Sequence, residues 1–212
     1  MKLKKSVISI GLIVISIIYI LLVKCIDVAS IGPNSSSVGF SHINELFHNI
    51  FGYNPSIYKI TEVLGYLAIL VVLIYACIGI YQLIKRKSLK KVDKEIIILG
   101  IFYVIVICLY VFFEKVIINY RPVLIDGVLE ASFPSSHTLL AIFVCGSGVI
   151  INNKLFKDFN YKKMVNILLL VLLFLIVIGR LISGVHWLSD IIGGVLIACT
   201  LLYIFNYIIN KK

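Results

Sequence analysis

Charged side chains are scarce in this chain, and acidic ones are the scarcest. Of the 212 residues only 14% are charged and ten are Asp or Glu, whereas 61% are hydrophobic. A soluble domain of this length does not need so much apolar surface. Several runs approach or exceed the ~18 to 20 apolar residues that span a bilayer. The composition therefore excludes an ordinary soluble domain and indicates a membrane protein.

The chain also lacks a cysteine framework. Four of its five cysteines lie inside apolar runs, and Cys25 lies alone at the end of the first run. Disulfide scaffolds and zinc sites need even, closely spaced sets, so these cysteines are predicted to be small core residues. No cluster of carboxylates is present to hold magnesium. We therefore expect neither a metal nor a cofactor.

The apolar runs are continuous rather than alternating, which favours helices over strands. We predict an all-α, polytopic membrane protein with six transmembrane helices that form a single domain over residues 1–212. The first run resembles a signal peptide, but Lys24-Cys25 is not a small-residue cleavage site, so a retained helix is expected. The six spans are predicted near residues 7–23, 61–84, 96–113, 137–151, 164–181 and 186–209.

The longest connection, residues 24–60, contains a short amphipathic segment that Ser41 could cap. Its apolar residues form one helical stripe too short to span a membrane, so an interfacial helix is expected. The stripe consists of Ile43, Leu46, Phe47, Ile50 and Phe51. His42 and His48 lie on or beside it and are interpreted as interfacial polar residues without an assigned role.

Basic residues determine the predicted topology. The net charge of +10 comes from short clusters between the spans, a pattern typical of membrane topology rather than of nucleic-acid binding. With a cytoplasmic N-terminus, fifteen Lys and Arg fall on the inner side and five on the outer side. We therefore expect both termini in the cytoplasm and three loops on the extracytoplasmic face.

The stretch 180–190, on that outer face, contains Arg180, His186 and Asp190. Ionisable groups at the edge of a membrane segment are costly and usually functional. His186 and Asp190 are four residues apart, so on a helix Asp190 would reach back onto the His186 ring. A carboxylate on one ring nitrogen leaves the other free as base or nucleophile. Taken alone, a histidine satisfied by a helix-capping carboxylate explains the pattern equally well.

Two further motifs, at residues 115–122 and 132–137, fall on the same face. Arginine forks match phosphate oxygens, and a helix N-terminus presents free N–H groups and a positive dipole end. Together the three motifs predict a phosphate site with two proton-transfer candidates. The candidate groups are Lys115, Arg121, Ser135, Ser136, His137, Arg180, His186 and Asp190.

These motifs resemble those of the type 2 phosphatidic acid phosphatase family, which includes bacterial lipid phosphatases, glucose-6-phosphatase and the vanadium haloperoxidases. The family patterns are Lys-x6-Arg-Pro, Pro-Ser-Gly-His and Ser-Arg-x5-His-x3-Asp. The second fits residues 134–137 and the third fits Arg180, His186 and Asp190. The six-helix layout extends the resemblance to most of the chain.

Three positions depart from the family patterns. Ser136 replaces the usual glycine, and Gly179 replaces the usual serine. Counting back seven residues from Arg121 reaches Glu114, so Lys115 comes one residue late. Either Lys115 contacts phosphate from a shifted position or that contact is missing, and we favour the first alternative.

The resemblance implies a mechanism without metal. His186 would attack phosphorus, Asp190 would orient His186, and His137 would protonate the leaving oxygen and then activate water. Charge stabilisation is the main need of phosphoryl transfer, and cationic side chains and backbone N–H groups can provide it. The groups expected to hold the phosphate are Arg121, Arg180, Lys115 and the N–H groups of Ser135, Ser136 and His137.

The expected partners are the lipid bilayer and a membrane lipid phosphate, without nucleic acid. A compact chain of this kind is similar to bacterial members of the family, so we expect a plasma-membrane lipid phosphatase with an outward-facing site. Undecaprenyl diphosphate is the first expected substrate, followed by phosphatidylglycerophosphate and phosphatidic acid. A lipid phosphotransferase with the same first step, or a non-catalytic lipid-phosphate transporter or binder, are the alternatives.

Overall fold

The computed structural model describes residues 2–211, with side chains from Lys5 onward, and within this range it contains helices and no β-strand. Six helices are long and apolar enough to cross a membrane, which confirms the all-α, polytopic fold class. The helices are α1 (Lys2–Cys25), α2 (Ser41–Phe51), α3 (Pro55–Arg86), α4 (Lys94–Lys115), α5 (Ser136–Leu155), α6 (Lys162–Ile182) and α7 (Leu188–Ile209).

The short amphipathic helix expected in the first outer loop is α2. Its apolar residues Ile43, Leu46 and Ile50 are exposed, whereas Asn44 is fully buried against the bundle. The N-terminus of α2 is capped by Asp27, whose carboxylate accepts hydrogen bonds from the Ser41 hydroxyl and the His42 amide, each at 2.9 Å. A helix whose polar side is buried and whose apolar side is exposed is well suited to lie at a membrane interface.

Helix α5 is the centre of the bundle and packs against α3, α4, α6 and α7. Small residues allow this close packing: a Cβ added at Gly146 would lie 2.6 Å from the Leu202 side chain. Phe143 of α5 packs against Phe102 of α4 and Phe205 of α7, with ring centroids 5.7 and 6.0 Å away. The most enclosed helix thus fixes the position of the 132–137 motif, which leads into its N-terminus.

The last span begins later than the sequence pattern predicts. Helix α7 starts at Leu188, and its N-cap residue Trp187 has an extended backbone. His186 therefore lies in the connection between α6 and α7 rather than on a helix. This difference changes how His186 meets Asp190.

Candidate active site

The connection between α6 and α7 is held tightly against the start of α3. The Asn54 amide donates to the Ser183 carbonyl at 2.9 Å. Gly184 has φ +64, and a Cβ there would lie 1.6 Å from the Gly52 carbonyl oxygen, so only glycine fits. This close backbone approach fixes the loop in which His186 follows two residues later.

The two ring nitrogens of His186 have different surroundings. Nδ1 lies 2.9 Å from the Ser132 hydroxyl oxygen. Nε2 is buried and has no hydrogen-bond partner among the residues that the structure describes. Burial lowers the pKa of His186 well below its usual range, and the nearby charges of Arg121 and Arg180 act in the same direction. The ring is therefore neutral near pH 7, with one nitrogen available.

Asp190 does not reach the His186 ring directly, contrary to the expectation from their spacing. The Ser132 hydroxyl donates to Asp190 Oδ2 at 2.5 Å and so stands between the two side chains. The i,i+4 argument fails because it requires both residues on one helix, and α7 begins only at Leu188. Asp190 instead occupies the first turn, where its carboxylate accepts the Trp187 amide at 3.0 Å.

The Asp190 carboxylate is fully buried and is surrounded by donors. Besides Ser132 and the Trp187 amide, it accepts from Asn119 Nδ2 at 3.1 Å. Asn119 also donates to the Ser189 hydroxyl, which in turn accepts from Asn44 of α2 at 2.9 Å. Such donors stabilise a buried charge without a cation beside it.

His137 and Arg180 meet at Glu62, a residue of α3 outside the three motifs. Arg180 is fully buried, and its guanidinium donates to Glu62. Glu62 Oε1 also lies 3.5 Å from His137 Nε2. The Nε and Nη1 groups of Arg180 are buried without a partner within the described part of the chain. The sequence offered one signal for Glu62: it is a single carboxylate near the N-terminal end of an otherwise uncharged predicted span.

Arg121 lies in the loop between α4 and α5. Its Nη2 is 3.2 Å from Glu130, and its amide donates to the Glu130 carbonyl at 3.0 Å. Its Nε and Nη1 groups are buried and have no partner among residues 5–211. Like Arg180, it presents fork donors that could bind the oxygens of an anion.

Lys115, which the favoured alternative places in contact with phosphate, is not among the residues that line the cavity described below. It is the last residue of α4, and its side chain is exposed. Glu114, seven residues before Arg121, does line that cavity. The one-residue offset matters because successive side chains on a helix point about 100° apart.

The N-terminus of α5 also differs in part from the expectation. The Ser135 amide donates to the Asp190 carbonyl at 3.0 Å and is therefore occupied. Ser136 and His137 are the first two residues of α5, where amides have no partner within the helix, and both line the cavity. Two of the three expected amides thus remain available as donors.

One cavity of about 840 Å³ connects several of these groups with the interior of the bundle, although Arg180 is not among the residues that line it. Arg121, Ser136, His137 and His186 line its polar end, together with Glu62. Its other walls are apolar side chains of α3 and α4, including Ile69, Val72, Val106 and Ile107. Wall residues Tyr58 and Val72 are fourteen positions apart on α3, which corresponds to about 21 Å. The cavity therefore has a charged end and a deep apolar portion.

The other two histidines lie outside this cavity. His42 is 91% exposed, and its Nδ1 lies 2.6 Å from Asp27. His48 packs against Trp187 with ring centroids 5.4 Å apart. Across residues 5–211, no group of three or more His, Cys, Asp and Glu side chains is arranged to hold a metal ion.

Comparison with known proteins gives one family match and two similar solved structures. Residues 112–212 match the family model of the PAP2 superfamily. The crystal structure of the first transmembrane PAP2-type phosphatidylglycerolphosphate phosphatase from Bacillus subtilis is 20% identical, with a TM-score of 0.58 over 93% of each chain. LpxE of Aquifex aeolicus is 26% identical over 82% of this chain and 97% of its own, with a TM-score of 0.46. No curated protein sequence matches the chain.

The family match begins at Phe112, near the end of α4, and so includes all three motifs, from Lys115 to Asp190. The fold likeness to the Bacillus subtilis structure extends over nearly the whole chain, including the preceding helices. The resemblance seen in the motifs is thus confirmed, since residues 112–212, which carry all three motifs, match the PAP2 superfamily.

Proposed function

We propose that this protein is an integral-membrane lipid phosphatase that works through a phosphohistidine intermediate. One observation carries the proposal: the unpartnered Nε2 of His186, His137 and the unpartnered guanidinium N–H groups of Arg121 all belong to the charged end of one cavity. A nucleophile, a proton-transfer group and phosphate ligands are what phosphoryl transfer needs.

In the proposed first step, the lone pair of His186 Nε2 forms a bond to phosphorus. The bond from phosphorus to the leaving oxygen breaks, and that oxygen takes a proton from His137. In the second step His137 accepts a proton from water, the hydroxide attacks phosphorus, and the N–P bond breaks to restore His186. Arg121, Arg180 and the amides of Ser136 and His137 stabilise the negative charge on the phosphate oxygens.

The shape of the cavity supports a lipid as the substrate. Its wall along α3, the charged end included, extends about 21 Å from Tyr58 to Val72, roughly two-thirds of the thickness of a bilayer's hydrocarbon core. A phosphate at the charged end would thus leave room for acyl or prenyl chains between these helices. The excess of Lys and Arg in the opposite loops supports a site on the extracytoplasmic face with both termini in the cytoplasm.

Undecaprenyl diphosphate is the first substrate that we propose, because its headgroup is presented on the outer leaflet during envelope synthesis. Phosphatidylglycerophosphate and phosphatidic acid follow, and the Bacillus subtilis protein of similar fold is named for the first of these two. The test is phosphate release by purified protein in detergent from each lipid, with soluble glycerol phosphate as a control without a tail. Release from no lipid would contradict the proposal, and transfer to an added alcohol instead of water would indicate a phosphotransferase.

Chelation of divalent metals is expected to leave phosphate release unchanged within about twofold. The reason is that, in the proposed mechanism, Arg121 and the N-terminus of α5 on the cavity wall, together with the unpartnered donors of Arg180, provide the positive charge that a metal would otherwise supply. The measurement compares initial rates in EDTA with rates in EDTA plus excess magnesium, at fixed detergent and lipid. A rate that falls to background in EDTA and returns with magnesium would contradict the proposed chemistry.

Replacing Lys115 with alanine is expected to change kcat/KM by less than about twofold, because its side chain is exposed and lies outside the cavity wall. The matched change Arg121→Ala is expected to lower kcat/KM by about 100-fold, since it removes buried donors from the proposed phosphate site. Both variants are assayed on the same lipid after a check of their elution from a sizing column. Comparable losses in the two variants would restore Lys115 to the phosphate site.

A further inference from the structure

The Ser132 hydroxyl lies between the His186 ring and the Asp190 carboxylate, and no role has yet been given to it. Its hydroxyl oxygen lies 2.9 Å from His186 Nδ1 and 2.5 Å from Asp190 Oδ2, and its side chain is 2% exposed. It is the hydrogen-bond partner of the Nδ1 side of the ring, whereas Nε2 has none within the described residues. This hydroxyl therefore forms the hydrogen-bonded link between the Asp190 carboxylate and the ring.

Counting protons fixes the direction of each hydrogen bond. A carboxylate only accepts, so the single proton of the Ser132 hydroxyl is donated to Asp190. The Ser132 oxygen is then left to accept, and its neighbour His186 Nδ1 must carry the ring proton. A neutral imidazole has one N–H, so the lone pair lies on Nε2 of His186, a residue that lines the cavity.

We propose that the Ser132 hydroxyl is the positioning group through which Asp190 fixes the Nδ1–H tautomer of His186, and this proposal rests on the phosphohistidine mechanism above. When Nε2 bonds to phosphorus, the ring gains positive charge while Nδ1 keeps its proton. The Nδ1–H···Ser132···Asp190 chain stabilises that charge without any proton moving. Ser132 lies on the cavity wall but is only 2% exposed, so in this proposal it acts through His186 rather than as a phosphate ligand.

The tautomer can be observed directly in the unaltered protein. The chain has only four histidines, so ¹⁵N-histidine labelling of the full-length protein gives four ring systems, and loss of signal in His186→Ala identifies the relevant one. We expect His186 to show a protonated Nδ1 and an unprotonated Nε2 near pH 7. A proton on Nε2 in the wild type would overturn the proposal without the need for any variant.

Variants then test the role in turnover. Ser132→Ala is expected to lower kcat by about 10- to 100-fold with KM nearly unchanged, and to abolish the Nδ1–H preference. Ser132→Thr keeps the hydroxyl and is expected to recover both properties. Ser147→Ala is the matched control, because Ser147 is also buried but donates only to the Val144 carbonyl within α5.

The outcomes separate this proposal from the proposed function. If the wild type releases phosphate and Ser132→Ala retains full kcat with the same tautomer, the Ser132 link is wrong and the phosphatase stands. If the wild type acts on no lipid, the proposed function fails, and the tautomer in Ser132→Ala still decides the link. A Ser132→Ala that binds lipid normally but turns it over slowly, together with recovery in Ser132→Thr, supports both.

Discussion

Replacing His186 with alanine is expected to abolish phosphate release from lipid substrates, with a loss of at least about 10⁴-fold in kcat. The change removes the proposed nucleophile itself, and the described residues around it offer no second nitrogen in the same position: His137 faces Glu62 instead. Removing a buried imidazole also leaves Ser132 with one partner fewer but leaves Asp190 with its other donors. The fold should therefore survive.

The measurement is phosphate release by purified protein, together with thermal unfolding in detergent to verify folding. His42→Ala is the matched control, because His42 is also a histidine hydrogen-bonded to an aspartate but is 91% exposed on α2. We expect the control to retain wild-type kcat. Residual turnover in His186→Ala within tenfold of the wild type would mean that another group attacks phosphorus.

Trapping the covalent intermediate gives an independent test of His186 as the nucleophile. Labelled phosphate from the lipid should remain on the denatured wild-type protein after a rapid quench in alkali, as expected for an acid-labile phosphohistidine. His186→Ala should retain none. Wild-type label that is lost in alkali yet stable in acid would indicate a phosphoester and a different nucleophile.

Most of the fold could be predicted from hydropathy because each span is a local property of the chain. Six continuous apolar runs correspond to the six spanning helices, and the 43–51 stripe corresponds to α2. The ends of the helices were predicted less well. The apolar run near residue 186 continues through Trp187, but the backbone there is extended because Trp187 caps α7.

The contacts within the candidate site could not be predicted from local sequence patterns. The sequence spacing of His186 and Asp190 suggested direct contact, but the turn before α7 separates them and the Ser132 hydroxyl fills the gap. Ser132 precedes α5 by four residues, so its contact with α7 depends on how two loops pack. No periodicity in either segment encodes that contact.

Glu62 was missed for a similar reason. It lies on α3, more than fifty residues before the first motif, and meets Arg180 only because α3 packs against α6. Lys115 illustrates the opposite error, since a residue that fits the motif by type lies one position away from the side of α4 that faces the cavity. Residue type can be read from a motif, whereas direction depends on the helix that carries it.

Arg180 and Glu62 form an ion pair that affects both the stability of the fold and the charge of the proposed site. Arg180 is fully buried, and its guanidinium carbon lies over the Tyr58 ring, 5.1 Å from the ring centroid. Glu62 neutralises part of the guanidinium charge and also approaches His137. Removing Arg180 would therefore leave the Glu62 carboxylate beside the proposed phosphate position, where it would repel the substrate.

Replacing Arg180 with lysine is expected to lower kcat/KM by about 100- to 1,000-fold. Lysine keeps the positive charge but lacks the fork, so it cannot bind Glu62 and offer the Nε and Nη1 donors to phosphate at the same time. The matched control is Arg86→Lys, because Arg86 also bonds a carboxylate, Asp93 at 2.6 Å, but is the last residue of α3, at the opposite end of that helix from Glu62. We expect that control to retain wild-type kcat/KM.

A second pair of variants separates catalysis from folding. Arg180→Leu removes the buried partner of Glu62, whose side chain is 32% exposed, and is expected to lower the unfolding free energy by on the order of 1 to 3 kcal/mol. Adding Glu62→Leu removes the carboxylate that has lost its partner. The midpoint temperature of unfolding in detergent should therefore return toward the wild-type value in the double variant. Phosphate release should not recover, because the guanidinium donors are still missing. A double variant that regains both would show that Arg180 serves only to neutralise Glu62 and does not hold phosphate.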